Sequence, residues 1–320
     1  MTVKPDDMKA ILMKVLDEDS SFSFEMKVLQ ELRTWKFYCE HSGVYTDPIT
    51  KLNREFDIRA WLEPRNGWHI CLGVECKNIS AEAPLVIHST SLQLNEKTHS
   101  LIINHSCISS YKAWKKRREG SNFIAPLIHP IQASERAFNF QVTHRVKDGG
   151  NVFPSLYSTF SYVGRSMDKL KIRGKATDKS YYFDDSEIYA KFSQAQNSIV
   201  DLIESSYCDE YEDMAHQFFV LPILVVPDGT LWEQKYLEDG QRHGVPEPVE
   251  RIPFYVNKTY QKELHQQTPE FFLRFVEVVT SSGLQNLLKQ MLVKDDGFDY
   301  TVFLPNDDLA AAVKKAKSTD

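Results

Sequence analysis

The chain lacks the features that most readily identify an enzyme. It has no Gly-rich loop of the Walker kind, no G-x-G-x-x-G and no G-x-S-x-G, which removes the commonest NTPase, dinucleotide-binding and serine-hydrolase readings. Its 10 histidines form no H-x-x-x-H or H-E-x-x-H pattern, so zinc chemistry has no ligand set to stand on. Cysteine is scarce and odd in number, 5 in all (Cys39, Cys71, Cys76, Cys107 and Cys208), with no C-x-x-C pair. That usage fits a reduced compartment better than a disulfide-stapled secreted domain. No basic-then-apolar start and no apolar run of bilayer length is present, so the expectation is a soluble cytoplasmic protein with no membrane partner. A basic excess is missing too. Lys and Arg number 38 against 44 for Asp and Glu, a net charge of −6, which argues against a protein that coats nucleic acid but permits a site built from carboxylates.

What is present is the material of a large α/β fold. The 320 residues carry an ordinary apolar fraction, 42%, enough for a full core in one or two domains. The most informative stretch runs from Arg54 to Asn78. Phe56, Ile58, Ala60 and Leu62 alternate with Asp57, Arg59 and Trp61, the period of a strand with one face on a core. After a break at Glu63-Pro-Arg-Asn-Gly67, Ile70, Leu72, Val74 and Cys76 alternate with Cys71, Gly73, Glu75 and Lys77. Pro, Asn and Gly in the break are turn chemistry, so the two strands pair as an antiparallel hairpin. That pairing sets Asp57 beside Glu75, with Lys77 projecting next to Glu75. Two gathered carboxylates are costly unless compensated, and a hard divalent cation with oxygen ligands is a natural compensator.

Upstream, residues 1 to 20 suit a short leading helix, with Met8, Ile11, Leu12 and Val15-Leu16 at helical spacing. A second helix starts from Ser21 or Ser23 with a serine cap, and Phe24, Val28, Leu29 and Leu32 form its apolar stripe. At about 100° per residue, Glu25 falls on that stripe between Leu29 and Leu32. A carboxylate there is either a component of a site or a first-turn glutamate favoured by the helix dipole, and the sequence leaves both open. Trp35 to Tyr45 reads as helix end and first strand, and Asp47-Pro48 to Asn53 as a turn.

From about Phe22 to Asn78 these residues resemble the PD-(D/E)XK nuclease superfamily, the restriction-endonuclease-like fold, whose signature is an acidic residue on one strand and (D/E)-X-K on the next. Here the signature is Asp57 followed by Glu75-Cys76-Lys77, with Phe56 where the superfamily often has Pro. The resemblance implies an αβββαβ core around a central mixed sheet. It also implies that Asp57, Glu75 and the backbone carbonyl of Cys76 bind Mg²⁺ or Mn²⁺. Lys77 would position or deprotonate the attacking water and stabilise charge on the phosphate, and Glu25 would act through a second metal or a bound water. The implied activity is metal-dependent hydrolysis of phosphodiester bonds, DNA first, with restriction or phage defence a common use of the superfamily. The alternatives are a catalytically inactive platform of the same fold that binds nucleic acid or a protein, and a regulatory α/β protein with no nucleic-acid role. An intact Asp, Glu, Lys set favours the enzyme, because a platform has no need of three clustered ionisable groups.

The rest of the core is expected late in the chain. Asp184-Asp185-Ser186 is a helix start, and Ile188, Phe192, Ala195, Ile199, Leu202 and Ile203 share one side of the helix that follows. Gln194 on that helix is a weak candidate for orienting a carboxylate or phosphate. Phe218 to Pro227 is almost wholly apolar, as in a strand buried on both faces. The nuclease-like core then spans residues 1–230, with an insertion at about 79–183 that holds strands near 84–94, 138–146 and 153–163. Within the insertion, Tyr111-Lys112-Ala-Trp114-Lys115-Lys116-Arg117-Arg118 is the densest basic run. Lys112, Lys115, Lys116, Arg117 and Arg118 suit phosphates and Trp114 suits an exposed base, although a solvated amphipathic helix has the same pattern. Arg165 to Lys179 reads as a basic loop. Residues 231–320 read as a polar loop to Arg251, an edge strand at Ile252 to Val256, and two helices from Thr268-Pro269-Glu270 to Leu292 separated at Ser281-Ser282-Gly283. Those helices cap the sheet or build a homodimer.

Overall fold

The alternation from Asn53 to Cys76 folds as the expected hairpin in the computed structural model, which describes residues 5–18, 20–47, 50–65, 68–93, 98–104, 137–143, 160–173, 180–184, 186–205, 216–261 and 270–292. Strand β2 (Asn53–Arg65) pairs antiparallel with β3 (Trp68–Cys76) in the register Ile58 to Val74, Ala60 to Leu72 and Leu62 to Ile70. β2 runs on through Pro64, with a register irregularity between Leu62 and Arg65. A bulge there accommodates a residue that has no N–H to give the ladder.

The architecture is α/β: helices packed on a large mixed sheet that holds 13 strands among the described residues. β1 (Tyr38–Thr46) pairs antiparallel with β2 at one edge. At the centre, β9 (His216–Val226) lies parallel to β3 on one side and to β13 (Glu270–Thr280) on the other. The sheet continues through β12 (Arg251–Gln261), β7 (Tyr162–Arg173), β4 (Leu85–Ser91) and β10 (Leu231–Tyr236) to β11 (Arg242–Pro248). Three strands branch from this path. β5 (Thr98–Asn104) joins β6 (Ala137–Thr143) and β9, and β8 (Ser180–Asp184) joins β7.

Four helices are described. α1 (Pro5–Glu18) leads, and α2 (Ser21–Thr34) begins at Ser20, whose hydroxyl accepts the N–H of Ser23 at 3.2 Å. α3 (Ser186–Ser205) starts where expected, the carboxylate of Asp184 accepting the N–H and O–H of Ser186 at 3.1 and 2.8 Å. The stripe of α2 (Phe24, Val28, Leu29, Leu32) and that of α4 (Ser281–Leu292; Leu284, Leu287, Leu288) bury against Ile58, Ala60, Leu72 and Val74 on one face of the sheet. α3 buries Ile188, Phe192 and Ile199 against Cys71, Leu224, Val226 and Phe254 on the other. Each fully buried Leu or Ile contributes roughly 1.5–3 kcal/mol. No described helix is long and apolar enough to cross a membrane, and Cys39, Cys71 and Cys76 are free thiols.

Several expectations are corrected here. The segment from Glu270 to Thr280 is a strand, not a helix. It is almost continuously aromatic or β-branched, and Leu273 and Phe275 to Thr280 are all buried, the composition of a strand covered on both faces. The helix begins at Ser281, where an interruption was read: Thr280 Oγ1 accepts the N–H of Gly283 at 3.1 Å, and Asp228 Oδ1 that of Ser282 at 2.9 Å. Only glycine fits at 283, because a Cβ there would lie 1.8 Å from the Glu250 carbonyl oxygen. Residues 252–256 belong to β12, which is interior rather than an edge and is held between β13 and β7. Arg251 binds the fully buried Glu277 of β13 through Nε and Nη2 at 2.8 and 2.9 Å, and Gln290 of α4 through Nη1 at 2.5 Å, which ties two strands and a helix together. The polar stretch 231–251 forms β10 and β11 instead of a loop, turning at Gly240 with φ +81°. The basic segment from Arg165 is strand β7 as far as Arg173; its odd-numbered basic residues had the period of a strand, and 174–179 lie outside the described residues. Of the strand read at 153–163, only its last two residues are described as strand, and they open β7.

Candidate functional site

Asp57 and Glu75 meet as the hairpin parity requires. One step beyond the Ile58 to Val74 pair sets them opposite each other. The N–H of Asp57 donates to Glu75 Oε1 at 3.4 Å, and Asp57 Oδ2 accepts the N–H of Cys76 at 2.8 Å. Both carboxylates are buried, Glu75 with no exposed surface at all.

Gly73 and Arg59 share their parity, and both touch α3. A Cβ on Gly73 would come within 2.9 Å of Ile199 Cγ2 and 3.1 Å of Ser198 Oγ, so glycine is what lets this helix lie flat on β3. Arg59 Nη2 donates to the Ser198 carbonyl at 2.9 Å, and Asn197 Nδ2 to Asp47 Oδ2 at 3.1 Å. The amide of Gln194 donates to the Glu55 carbonyl, which makes Gln194 a pin between helix and strand.

Held in that register, α3 delivers a residue the sequence reading did not select. Lys191 Nζ lies 2.7 and 2.8 Å from the two carboxylate oxygens of Asp57 and 3.1 Å from Glu75 Oε2. A signal for it was present. Lys191 is three residues after Ile188 and four before Ala195, which puts a cation on the apolar stripe of α3, as Glu25 is a carboxylate on the stripe of α2.

Glu25 approaches the same centre from α2, half-buried, its Oε2 3.3 Å from His41 Nε2. The first turn of α2 holds no acidic residue, so the helix-dipole account does not explain this glutamate. Burial and then the charge of Asp57 hold the Glu25 carboxyl above its ordinary range, against the pull of His41 and Lys191. Burial, then Asp57, hold the Glu75 carboxyl well above its ordinary range, with Lys191 opposing. Burial works against the Lys191 ammonium, but the charge of Glu75 and its contacts with Asp57 outweigh it and push Lys191 up to about 12. The two acidic neighbours thus favour the charged ammonium between them.

β3 ends at Cys76, and Lys77 follows it half-buried, its N–H donating to the Val225 carbonyl at 2.9 Å. The ammonium between the two carboxylates is that of Lys191. The basic run with Lys112, Trp114, Lys115, Lys116, Arg117 and Arg118 lies outside the described residues, as does the side chain of His69. Among the described residues, no group of three or more His, Cys, Asp and Glu side chains is placed to hold a metal ion. Asp57 and Glu75 supply two carboxylates, an all-oxygen donor set already arranged about a cation. Mg²⁺ is commonly bound through one or two carboxylates, its remaining positions going to water and substrate phosphate, so these residues fit such an ion. Comparison with family models, with curated proteins and with solved structures gives no match.

Proposed function

We propose that the chain is a divalent-cation-dependent nuclease of restriction-endonuclease-like fold, hydrolysing phosphodiester bonds, with DNA as the first substrate to test. The observation that carries this reading is the pair of buried carboxylates on adjacent strands, Asp57 and Glu75, closed around a positive charge. The order α2, β1, β2, β3 and then, after the intervening strands β4 to β8, α3 and β9 supports it, since with those strands set aside it runs in the αβββαβ sequence of that fold.

In this reading Asp57 and Glu75 hold Mg²⁺ or Mn²⁺. When bound, such an ion polarises the phosphate and makes a water nucleophilic at neutral pH. Lys191 acts as a donor to the phosphate oxygens where negative charge develops. Glu25, with its raised proton affinity and its contact to His41, is placed to accept a hydrogen bond from a water at the rim.

A second reading has its own observation. Lys191 already neutralises the carboxylates, so the cluster is electrostatically complete as a protein-only ion pair, as a binding platform would have it. One experiment separates the two. Purified protein incubated with plasmid DNA is expected to cut it in Mg²⁺ or Mn²⁺, to stop in EDTA, and to bind without cutting in Ca²⁺. Cleavage that persists in chelator removes the metal; binding without cleavage under every condition supports the platform.

A further inference from the structure

The Lys191 ammonium sits among carboxylate oxygens as a bound ion would, with three of them at 2.7 to 3.1 Å. A divalent ion held by Asp57 and Glu75 needs that same space. The backbone of α3 is not free to withdraw and provide it. The contact at Gly73, the Arg59 bond to the Ser198 carbonyl and the Asn197 bond to Asp47 fasten the helix to β3, to β2 and to the end of β1. The side chain is different. It is 25% exposed, on a flexible four-carbon stem, so its charge can leave by rotation while the helix stays.

We propose that Lys191 is an exchangeable counter-ion: it closes the Asp57–Glu75 centre when no divalent ion is bound, and swings to the substrate phosphodiester when one enters. This deepens the nuclease reading and rests on Asp57 and Glu75 binding a divalent ion. Two consequences follow from charge alone. An entering ion competes with an ammonium already in place, so the free protein binds it weakly. A bound phosphodiester gives the displaced ammonium an anionic partner, so nucleic acid and metal each strengthen the binding of the other by the same factor. The centre is thereby loaded mainly in the presence of substrate.

The test is calorimetric titration of Ca²⁺ into the full chain, with and without a short DNA duplex, for the parent, Lys191→Met and Lys191→Arg. Circular dichroism confirms the fold of each. Lys191→Met is expected to bind Ca²⁺ at least about tenfold more tightly than the parent without DNA, because the competitor is gone. Lys191→Arg is expected to bind more weakly than the parent, because a guanidinium clamps carboxylates bidentately. DNA is expected to tighten Ca²⁺ binding to the parent by roughly 5–150-fold, the usual range of such coupling, and to have far less effect on Lys191→Met. A folded Lys191→Met that binds Ca²⁺ no more tightly than the parent overturns the exchange. If that variant does not fold, an affinity of Lys191→Arg equal to the parent's overturns it instead. If Ca²⁺ binds none of the three proteins with or without DNA, and Mn²⁺ behaves alike, the metal reading itself fails. Ordinary binding without the predicted order of affinities removes only the counter-ion role.

Discussion

Lys191→Ala is expected to lower the rate of the proposed phosphodiester cleavage by roughly 10²- to 10⁴-fold, the range for loss of a charge-stabilising or proton-transferring group, while Lys77→Ala is expected to stay within a factor of about ten. The contrast is informative because the linear signature names Lys77 and the folded centre presents Lys191. Lys191 reaches both carboxylates, so in the proposed reading it has the position to meet a phosphate at the metal. Lys77 begins the segment after β3, its backbone bonded to β9. The rates are read from plasmid nicking at saturating Mg²⁺, beside a urea melt of each variant. The melt matters, because breaking a buried ion pair by removing one partner commonly costs about 3–5 kcal/mol, a loss that Mg²⁺ in the site would offset. A large loss in Lys77→Ala with parental rates in Lys191→Ala would return the catalytic role to the signature lysine and leave Lys191 as a structural counter-ion.

Glu75→Gln is expected to abolish cleavage and yet make the protein more stable at neutral and alkaline pH. The first effect follows from the loss of one of the two carboxylates proposed to hold the metal. The second follows from linkage. In the folded chain burial and Asp57 raise the Glu75 carboxyl well above its ordinary range, so the native state holds this proton more tightly than the unfolded state. Its contribution to stability is then fully present below the unfolded carboxyl value of about 4.3 and is lost as pH rises through the folded value. Glutamine does not titrate, so the advantage of Glu75→Gln grows with pH across the window and then levels off. Urea midpoints for both proteins from acid to alkaline pH measure it. A variant less stable than the parent at every pH would mean that the Glu75 contact with Lys191 stabilises the fold outright. The combination of gained stability and lost function is the mark of a residue kept for chemistry.

Much of the centre was legible in the chain, because its first half is local. The hairpin is specified by alternation and by a turn within a few residues, and strand parity alone aligns Asp57 with Glu75. The stripe of α2 likewise sets Glu25 on a partly buried side of that helix, where it meets His41. Lys191 was not selected because its partners lie more than a hundred residues upstream, and only the packing of α3 on Gly73 brings them together. β13 was misread for a different reason. A strand covered on both faces loses its alternation, and Thr268-Pro269-Glu270 carries the strongest helix-start chemistry in its neighbourhood. Burial of Leu273 and of Phe275 to Thr280 outweighed that local preference. The edge strand expected at Ile252 to Val256 is instead interior, although Pro253, opposite Glu277, cannot donate to a ladder.

Crystals grown with Mn²⁺ reveal through the anomalous signal of the metal whether Asp57 and Glu75 form a divalent-cation site, as proposed. One ion bonded to an oxygen of each carboxylate is expected, at about the 2.0–2.6 Å usual for hard cations, with Lys191 Nζ moved out of the space between them. Crystals soaked in Mn²⁺ that show no anomalous peak there, with Lys191 still bridging Asp57 and Glu75, would contradict it.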